Sequence, residues 1–172
     1  MHHGGVCNAS DGVTHDHPDP NPAHRRGLRL LWALPQARAA GLVEVQWSGS
    51  ASYRDAGRSA ADRERVMQAL GAHFRQLGRL LPGGQTLKLE VTDLDLAGEI
   101  EPVAWHQLRV LRGRADWPQL SLRYTLSAGG STLKKGEARL SDMNYLSSAR
   151  QDDLGYEKRM VEQWFRAEFA PR

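Results

Sequence analysis

Residues 120–140 constrain the fold more than any other part of the sequence. In the first half of this stretch, large apolar residues alternate with polar ones, as in a strand that buries one face. These residues are Leu120, Leu122, Tyr124 and Leu126. The turn Ala128-Gly129-Gly130-Ser131 then predicts a β-hairpin.

The same residues indicate how the two arms of this hairpin pair. A three-residue loop at 129–131 places Leu122 opposite Ala138 and the ring of Tyr124 over the bare backbone of Gly136. A two-residue loop would instead set Leu122 against a glutamate, which is the worse pairing. We therefore predict the three-residue loop.

A strand–helix–strand unit precedes the hairpin. Leu42–Trp47 is rich in β-forming residues and predicts the first strand. Ser59 and Asp62 have capping-box spacing at the start of a helix, which Pro82-Gly83-Gly84 ends. Gln85–Thr92 alternates as a half-buried strand, and a crossover of this length predicts that it pairs parallel with the first strand.

Both predicted helices carry an apolar stripe at helical spacing. The stripes are Val66, Leu70, His73, Phe74, Leu77 and Leu81 in the first helix, and Tyr156, Met160, Val161, Trp164 and Phe165 in the last, which starts near Asp152. We interpret His73 as a packed, hydrogen-bonded histidine rather than a ligand. We also expect Glu162 to pair with Arg166.

These elements predict a single α+β domain over residues 42–170. We expect a mixed sheet of four strands, within a range of three to five, with two helices packed on one face in the order β-α-β-β-β-α. The length of 172 residues leaves little room for a second domain.

Composition excludes several classes of protein. Lys and Arg number 23 against 20 Asp and Glu, so the net charge is only +3, and no clustered basic patch indicates a nucleic acid partner. No apolar run is long enough to span a bilayer, and a single cysteine, Cys7, allows no disulfide within the chain. The chain carries no phosphate loop, nucleophile elbow or zinc-helix motif, which favours a protein that is not an enzyme.

The amino-terminal region divides into two segments. Residues 1–23 are rich in His, Pro and Gly, which predicts a disordered tail that either binds copper or nickel or precedes the true start. Residues 24–41 combine Arg25-Arg26, a short apolar run and the small-x-small pattern Ala37-Arg38-Ala39, as in a signal peptide. A surface helix is the alternative. Export would make the protein periplasmic, and otherwise it is cytoplasmic.

Two groups of polar residues are candidates for a functional site. Asp93 and Asp95 continue the alternation of the second strand, so a straight strand would bring two carboxylates to the core side, where with Glu99 they suit a divalent cation or acid–base chemistry. Alternatively, the strand bulges near Thr92 and both aspartates face water; we favour this second interpretation.

The other group follows the hairpin. Asp142, Asn144 and Tyr145 follow its second strand, and the side-chain oxygens of Asp142 and Asn144 face Asp93 and Asp95 if the strand ends meet. Arg58, just before the first helix cap, adds a cation that suits an anionic ligand.

Five motifs in order resemble one known family. They are Asp55-Ala56-Gly57-Arg58, Thr92 to Glu99, Ala115-Asp116-Trp117-Pro118, Leu140 to Tyr145, and Tyr156-Glu157-Lys158-Arg159-Met160. Together they resemble the bacterial domain of unknown function family 3016, over residues 42–169. The resemblance implies a proteobacterial envelope protein with a signal peptide directly before the first strand. It implies no activity and no catalytic residue.

The leading hypothesis is therefore a small periplasmic binding or interaction module. Its binding surface is the polar end formed by Arg58, Asp93, Asp95, Asp142 and Asn144, and its partner is an envelope protein or a small ligand. The alternatives are a metal-assisted hydrolase that uses Asp93, Asp95 and Asp142, and a purely structural envelope component. No cofactor is expected beyond a divalent cation in the hydrolase alternative.

Overall fold

The alternating leucines of the hairpin lie at the centre of a four-stranded sheet. The computed structural model describes residues 40–103, 106–113, 115–147 and 152–169. The disordered tail predicted for residues 1–23 lies outside the described residues, as does all but the end of the signal-peptide-like segment 24–41.

Within the described residues the chain forms six strands and two α-helices. The strands are β1 (Leu42–Trp47), β2 (Gln85–Asp95), β3 (Glu99–Val103), β4 (His106–Val110), β5 (Gln119–Ala128) and β6 (Ser131–Ser141). The helices are α1 (Ala60–Leu77) and α2 (Gly155–Phe169). No described helix has the length and apolar character needed to cross a membrane.

The main sheet has the strand order β1-β2-β5-β6. β1 and β2 pair in parallel, whereas β2 with β5 and β5 with β6 pair antiparallel, so the sheet is mixed. Alternate side chains of β2 and β5 are buried and pack with both helices in one core. The predicted α+β class, with a four-stranded sheet and two helices on one face, is confirmed.

The register of the β5–β6 hairpin is confirmed, but its predicted loop is wrong. Leu122 pairs with Ala138, and Tyr124 lies over Gly136, where an added Cβ would stand 2.7 Å from the tyrosine hydroxyl oxygen. The turn itself contains two residues, Gly129 and Gly130, both with positive φ. A bulge at Leu133 then restores the predicted register, because it supplies the extra residue that a three-residue loop would contain.

The helices begin and pack as their sequences predict. Ser59 caps α1 in a capping box with Asp62. His73 is half-buried, and its Nε2 lies 3.1 Å from the carbonyl oxygen of Lys158 in α2, so it is packed and hydrogen-bonded. Glu162 pairs with Arg166 one turn later at 2.7 Å.

The β3–β4 hairpin is a feature that the sequence analysis did not predict. Its two strands form a separate two-stranded sheet, with Glu99 opposite Val110 at the base. It is inserted between β2 and β5, close to the polar end of the main sheet.

Candidate functional site

A bulge in β2 decides where Asp93 and Asp95 point. The pairing of β2 with β5 shifts between Val91 and Asp93, so Thr92 is the extra residue. Beyond the bulge, Leu94 is buried in the core and the two aspartates take the opposite, uncovered face of the sheet. The bulged interpretation is therefore confirmed, and the straight strand with carboxylates on the core side is wrong.

Arg54 holds both of these aspartates. Its Nε and Nη2 lie 2.8 and 2.7 Å from Asp93 Oδ2, and its Nη1 lies 3.7 Å from Asp95 Oδ2. Burial raises the pKa of Asp95, Arg54 opposes that shift, and Asp55 and Asp93 add to it. Sequence reasoning missed Arg54, since nothing in its local pattern points to a residue 39 positions along the chain.

The ends of β2, β5 and β6 meet here, which the sequence analysis left as a condition. Gln119 pairs with Asp95 on one side and with Ser141 on the other. The next residue, Asp142, turns to the helix side, where its Oδ2 lies 2.6 Å from Arg159 Nη2 of α2. Asp142 and the aspartates of β2 therefore lie on opposite sides of the sheet, so the three carboxylates do not surround a common point.

Asn144 and Tyr145 belong to the Asp142 side. Asn144 is exposed, and its backbone N–H donates to Asp142 Oδ1 at 3.0 Å. Tyr145 is fully buried, and its hydroxyl donates to Asp116 Oδ1 at 2.7 Å. Burial, and then the hydrogen bond to Asp116, raise the pKa of Tyr145 to about 12, so the phenol stays protonated at neutral pH.

The last two predicted site residues lie apart from these groups. Glu99 is exposed in β3 and pairs with Arg112 at 2.9 Å. Arg58 is exposed ahead of α1, and within the described part of the chain it has no hydrogen bond or ion pair. The structure thus joins Asp93 with Asp95, and Asp142 with Asn144 and Tyr145, while Glu99 and Arg58 join neither group.

A buried ion pair that the sequence analysis missed joins β4 to α2. Glu157 in α2 is 0% exposed, and its Oε1 accepts hydrogen bonds from Arg109 Nη2 of β4 and from the backbone N–H of Ala97 at 2.9 Å. Its Oε2 has no partner among the described residues. The sequence feature that indicates the burial of Glu157 is its helical spacing, since it lies one turn before Met160 and Val161 of the apolar stripe.

Comparison with models of known protein families shows the family to which this chain belongs. Residues 41–167 match the family model described as Protein of unknown function (DUF3016). The chain belongs to the DUF3016 family. No curated protein sequence matches it.

The five motifs that suggested this family hold the DUF3016 chain together at one end. Asp55 bridges to the end of β2, since its N–H donates to Leu94 O and its carbonyl accepts from Leu96 N–H. Gly98 N–H donates to Asp116 O, and Asp142 N–H donates to Pro118 O. With the contacts of Tyr145, Glu157 and Arg159, every motif is bonded to another, so these residues have a structural role whatever else they do.

A cleft of about 550 Å³ opens beside this end of the DUF3016 domain. It lies between α1 and the β3–β4 hairpin. Its lining is mostly apolar: Val66, Ala69, Leu96, Leu108 and Leu154, with Gly57, Asp62, Arg65, Arg109 and Asp153 as the polar and small members. Sequence reasoning could not find this cleft because it did not include the hairpin.

The uncovered face of the sheet carries two grooves with a more polar lining. The larger, of about 830 Å³, contains Arg54, Asp93, Arg123, Glu137 and Arg139 in its lining. Most of these charges are paired, as in the ion pair of Arg123 with Glu137 at 3.1 Å. Among the side chains that the structure describes, no three His, Cys, Asp or Glu residues are grouped so as to hold a metal ion.

Proposed function

We propose that this DUF3016 protein is a small envelope binding module. Its site is the cleft between α1 and the β3–β4 hairpin, and its ligand is a small molecule with an aliphatic body and an anionic end. The single observation that carries this proposal is the cleft itself, since its volume of about 550 Å³ and largely apolar lining suit a small ligand.

The lining supports the chemistry of the ligand. Leu108 is 55% exposed on the hairpin, so a bound apolar group would remove its surface from water. Arg65 at the rim pairs with Asp62, whose other oxygen accepts from Ser59 in the capping box. An ion pair this exposed contributes little stability, so the guanidinium of Arg65 can take an anionic ligand group at small cost.

The partners of the predicted polar end favour this cleft over a metal-assisted hydrolase. Arg54 holds Asp93 and Asp95, and Arg159 holds Asp142 from the other side of the sheet. A divalent cation would have to displace these guanidinium groups, and it could not reach all three carboxylates at once. The hydrolase alternative therefore has no supporting geometry.

A periplasmic location is part of the same proposal. The basic residues, apolar run and small-x-small pattern of residues 24–40 support export to the periplasm. A periplasmic module would meet its small ligand outside the cytoplasm.

Titration of the full chain with 8-anilinonaphthalene-1-sulfonate, an anionic amphiphile, tests the site. We expect saturable fluorescence enhancement with one site per chain. Leu108→Gln should weaken binding roughly fivefold, because it removes about 1 kcal/mol of apolar contact. Leu133→Gln is the matched control, since Leu133 is equally exposed, at 54%, on β6 away from the cleft.

Arginine variants on one helix test the anionic end. Arg65→Gln should weaken binding of the same probe, whereas Arg75→Gln, on α1 but outside the lining of the cleft, should not. Absence of saturable binding, or equal losses in Leu108→Gln and Leu133→Gln, would overturn the proposed site.

A further inference from the structure

We infer that the β3–β4 hairpin is a flap on this cleft, hinged at its base and latched by Arg109. The inference rests on the proposed function, because it concerns access to the same site. Leu108 and Arg109 of β4 form the hairpin wall of the cleft, and α1 forms the facing wall. Movement of the hairpin relative to α1 would therefore change the width of the cleft.

The hairpin is built as a separate unit. β3 and β4 pair with each other from Glu99–Val110 to Val103–His106, and neither strand belongs to the main sheet. An isolated two-stranded hairpin is marginally stable in water. The β3–β4 hairpin therefore depends on its attachments to the body.

Glycines with positive φ flank the hairpin on both sides. Gly98 has φ 74° directly before β3, and Gly113 has φ 80° shortly after β4. At Gly98 an added Cβ would lie 2.5 Å from the carbonyl oxygen of Val110, so the two arms approach closely at the base. These positions can absorb a change of backbone direction while the strands between them stay paired.

Arg109 is the main polar attachment between the hairpin and the body. Its Nε donates to the carbonyl of Ala97, its Nη1 to the carbonyl of Asp153, and its Nη2 to Glu157 Oε1. The side chain is only 13% exposed. One guanidinium thus ties β4 both to the end of β2 and to the start of α2.

The latch is incomplete, which favours reversible opening. Glu157 Oε2 is buried without a partner in the described part of the chain, so the closed state leaves one carboxylate oxygen unsatisfied. Opening of the hairpin lets water hydrate that oxygen, and this hydration offsets part of the free energy lost with the ion pair. A fully satisfied pair would hold the hairpin more firmly.

Amide hydrogen exchange by mass spectrometry on the full chain tests the flap without any ligand. Arg109→Gln alone leaves Glu157 buried and unpaired, which can unfold the whole domain, so the decisive variant also carries Glu157→Gln. In this double variant we expect the amides of β3 and β4 to exchange at least about tenfold faster, while β2 and β5 keep wild-type protection. Arg112→Gln is the control, because exposed Arg112 pairs with the hairpin's own Glu99 and Glu101.

Two results would overturn the flap. Hairpin exchange could remain at the wild-type rate in the double variant, or it could accelerate by the same factor as that of β2 and β5. Stopped-flow measurement with 8-anilinonaphthalene-1-sulfonate adds the link to the site, since release of the probe should be faster in the double variant than in Arg112→Gln. If the probe does not bind to the wild type, the proposed function fails, and hydrogen exchange alone decides whether the flap exists.

Discussion

The hydroxyl of Tyr145 donates a 2.7 Å hydrogen bond to Asp116, which joins the segment after β6 to the loop before β5. Gly113 N–H donates to the same phenolic oxygen at 3.2 Å, and the ring of Tyr156 packs edge-on against that of Tyr145 with their centroids 4.9 Å apart. Tyr145 and Asp116 lie 29 positions apart in the chain and belong to different family motifs. Their contact explains how short motifs with no shared pattern form one end of the domain.

Removal of this hydroxyl should destabilise the domain. We expect Tyr145→Phe to lower the free energy of unfolding by about 1–2 kcal/mol, because Asp116 loses a buried donor. Urea denaturation followed by tryptophan fluorescence measures the change. Tyr156→Phe is the control, since the Tyr156 hydroxyl has no hydrogen bond within the described structure, and it should change stability by less than about 0.5 kcal/mol. Equal losses in the two variants would mean that the Tyr145–Asp116 bond contributes nothing specific.

His73 should make the domain less stable in mild acid. Burial lowers the pKa of His73 below its ordinary value of 6.5, while the hydrogen bond to the Lys158 carbonyl opposes the shift. Below pH 6.5 the unfolded chain then binds more protons at this residue than the folded chain does, so the free energy of unfolding falls as the pH falls. Unfolding measured from pH 7.5 to 5.5 should show a steeper loss in the wild type than in His73→Gln. Parallel pH profiles for the two proteins would contradict this assignment.

Asp93 and Asp95 should respond to neutralisation with opposite signs. Burial raises the pKa of Asp95, so the folded protein binds the proton more tightly than the unfolded chain, and ionised Asp95 lowers stability above its ordinary pKa. Asp95→Asn should therefore raise the midpoint of urea denaturation at pH 7, with a smaller gain near pH 3. Asp93→Asn should lower the midpoint, because Asp93 accepts from Arg54 and from Leu94 N–H. A shift of the midpoint in the same direction in both variants would contradict the opposite contributions that we assign to the two carboxylates.

Export should remove the amino-terminal region. We expect the native protein in the periplasmic fraction, with an intact mass that corresponds to a start near Ala40 or Gly41. A chain expressed from residue 41 without the preceding segment should remain in the cytoplasm and serves as the control. A cytoplasmic species that retains Met1 would contradict the proposed periplasmic location. Metal binding by the histidine-rich tail would then be the next property to measure.

The sequence by itself determined the features that depend on near neighbours or on simple periodicity. The capping box of α1, the parallel β1–β2 pair and the apposition of Tyr124 with Gly136 all follow from spacing within one or two elements. A side chain's face in a strand or helix is set by its position in the repeat, so these predictions required no knowledge of the rest of the fold. The loop of the β5–β6 hairpin was predicted wrongly because a two-residue turn followed by a bulge gives the same register as a three-residue loop.

Only the tertiary structure decided the contents of the sites. Glu157 bonds to Ala97 across 60 positions, and Arg54 bonds to Asp93 across 39, so no local pattern ties either pair together. The bulge at Thr92 is one of two alternatives that the sequence offers, and pairing with β5 selects it, because Leu94 then enters the core and the aspartates lie on the opposite face of the sheet. Arg109 attaches the β3–β4 hairpin to Glu157 of α2, and a contact of that kind exists only once β4 and α2 have been brought together.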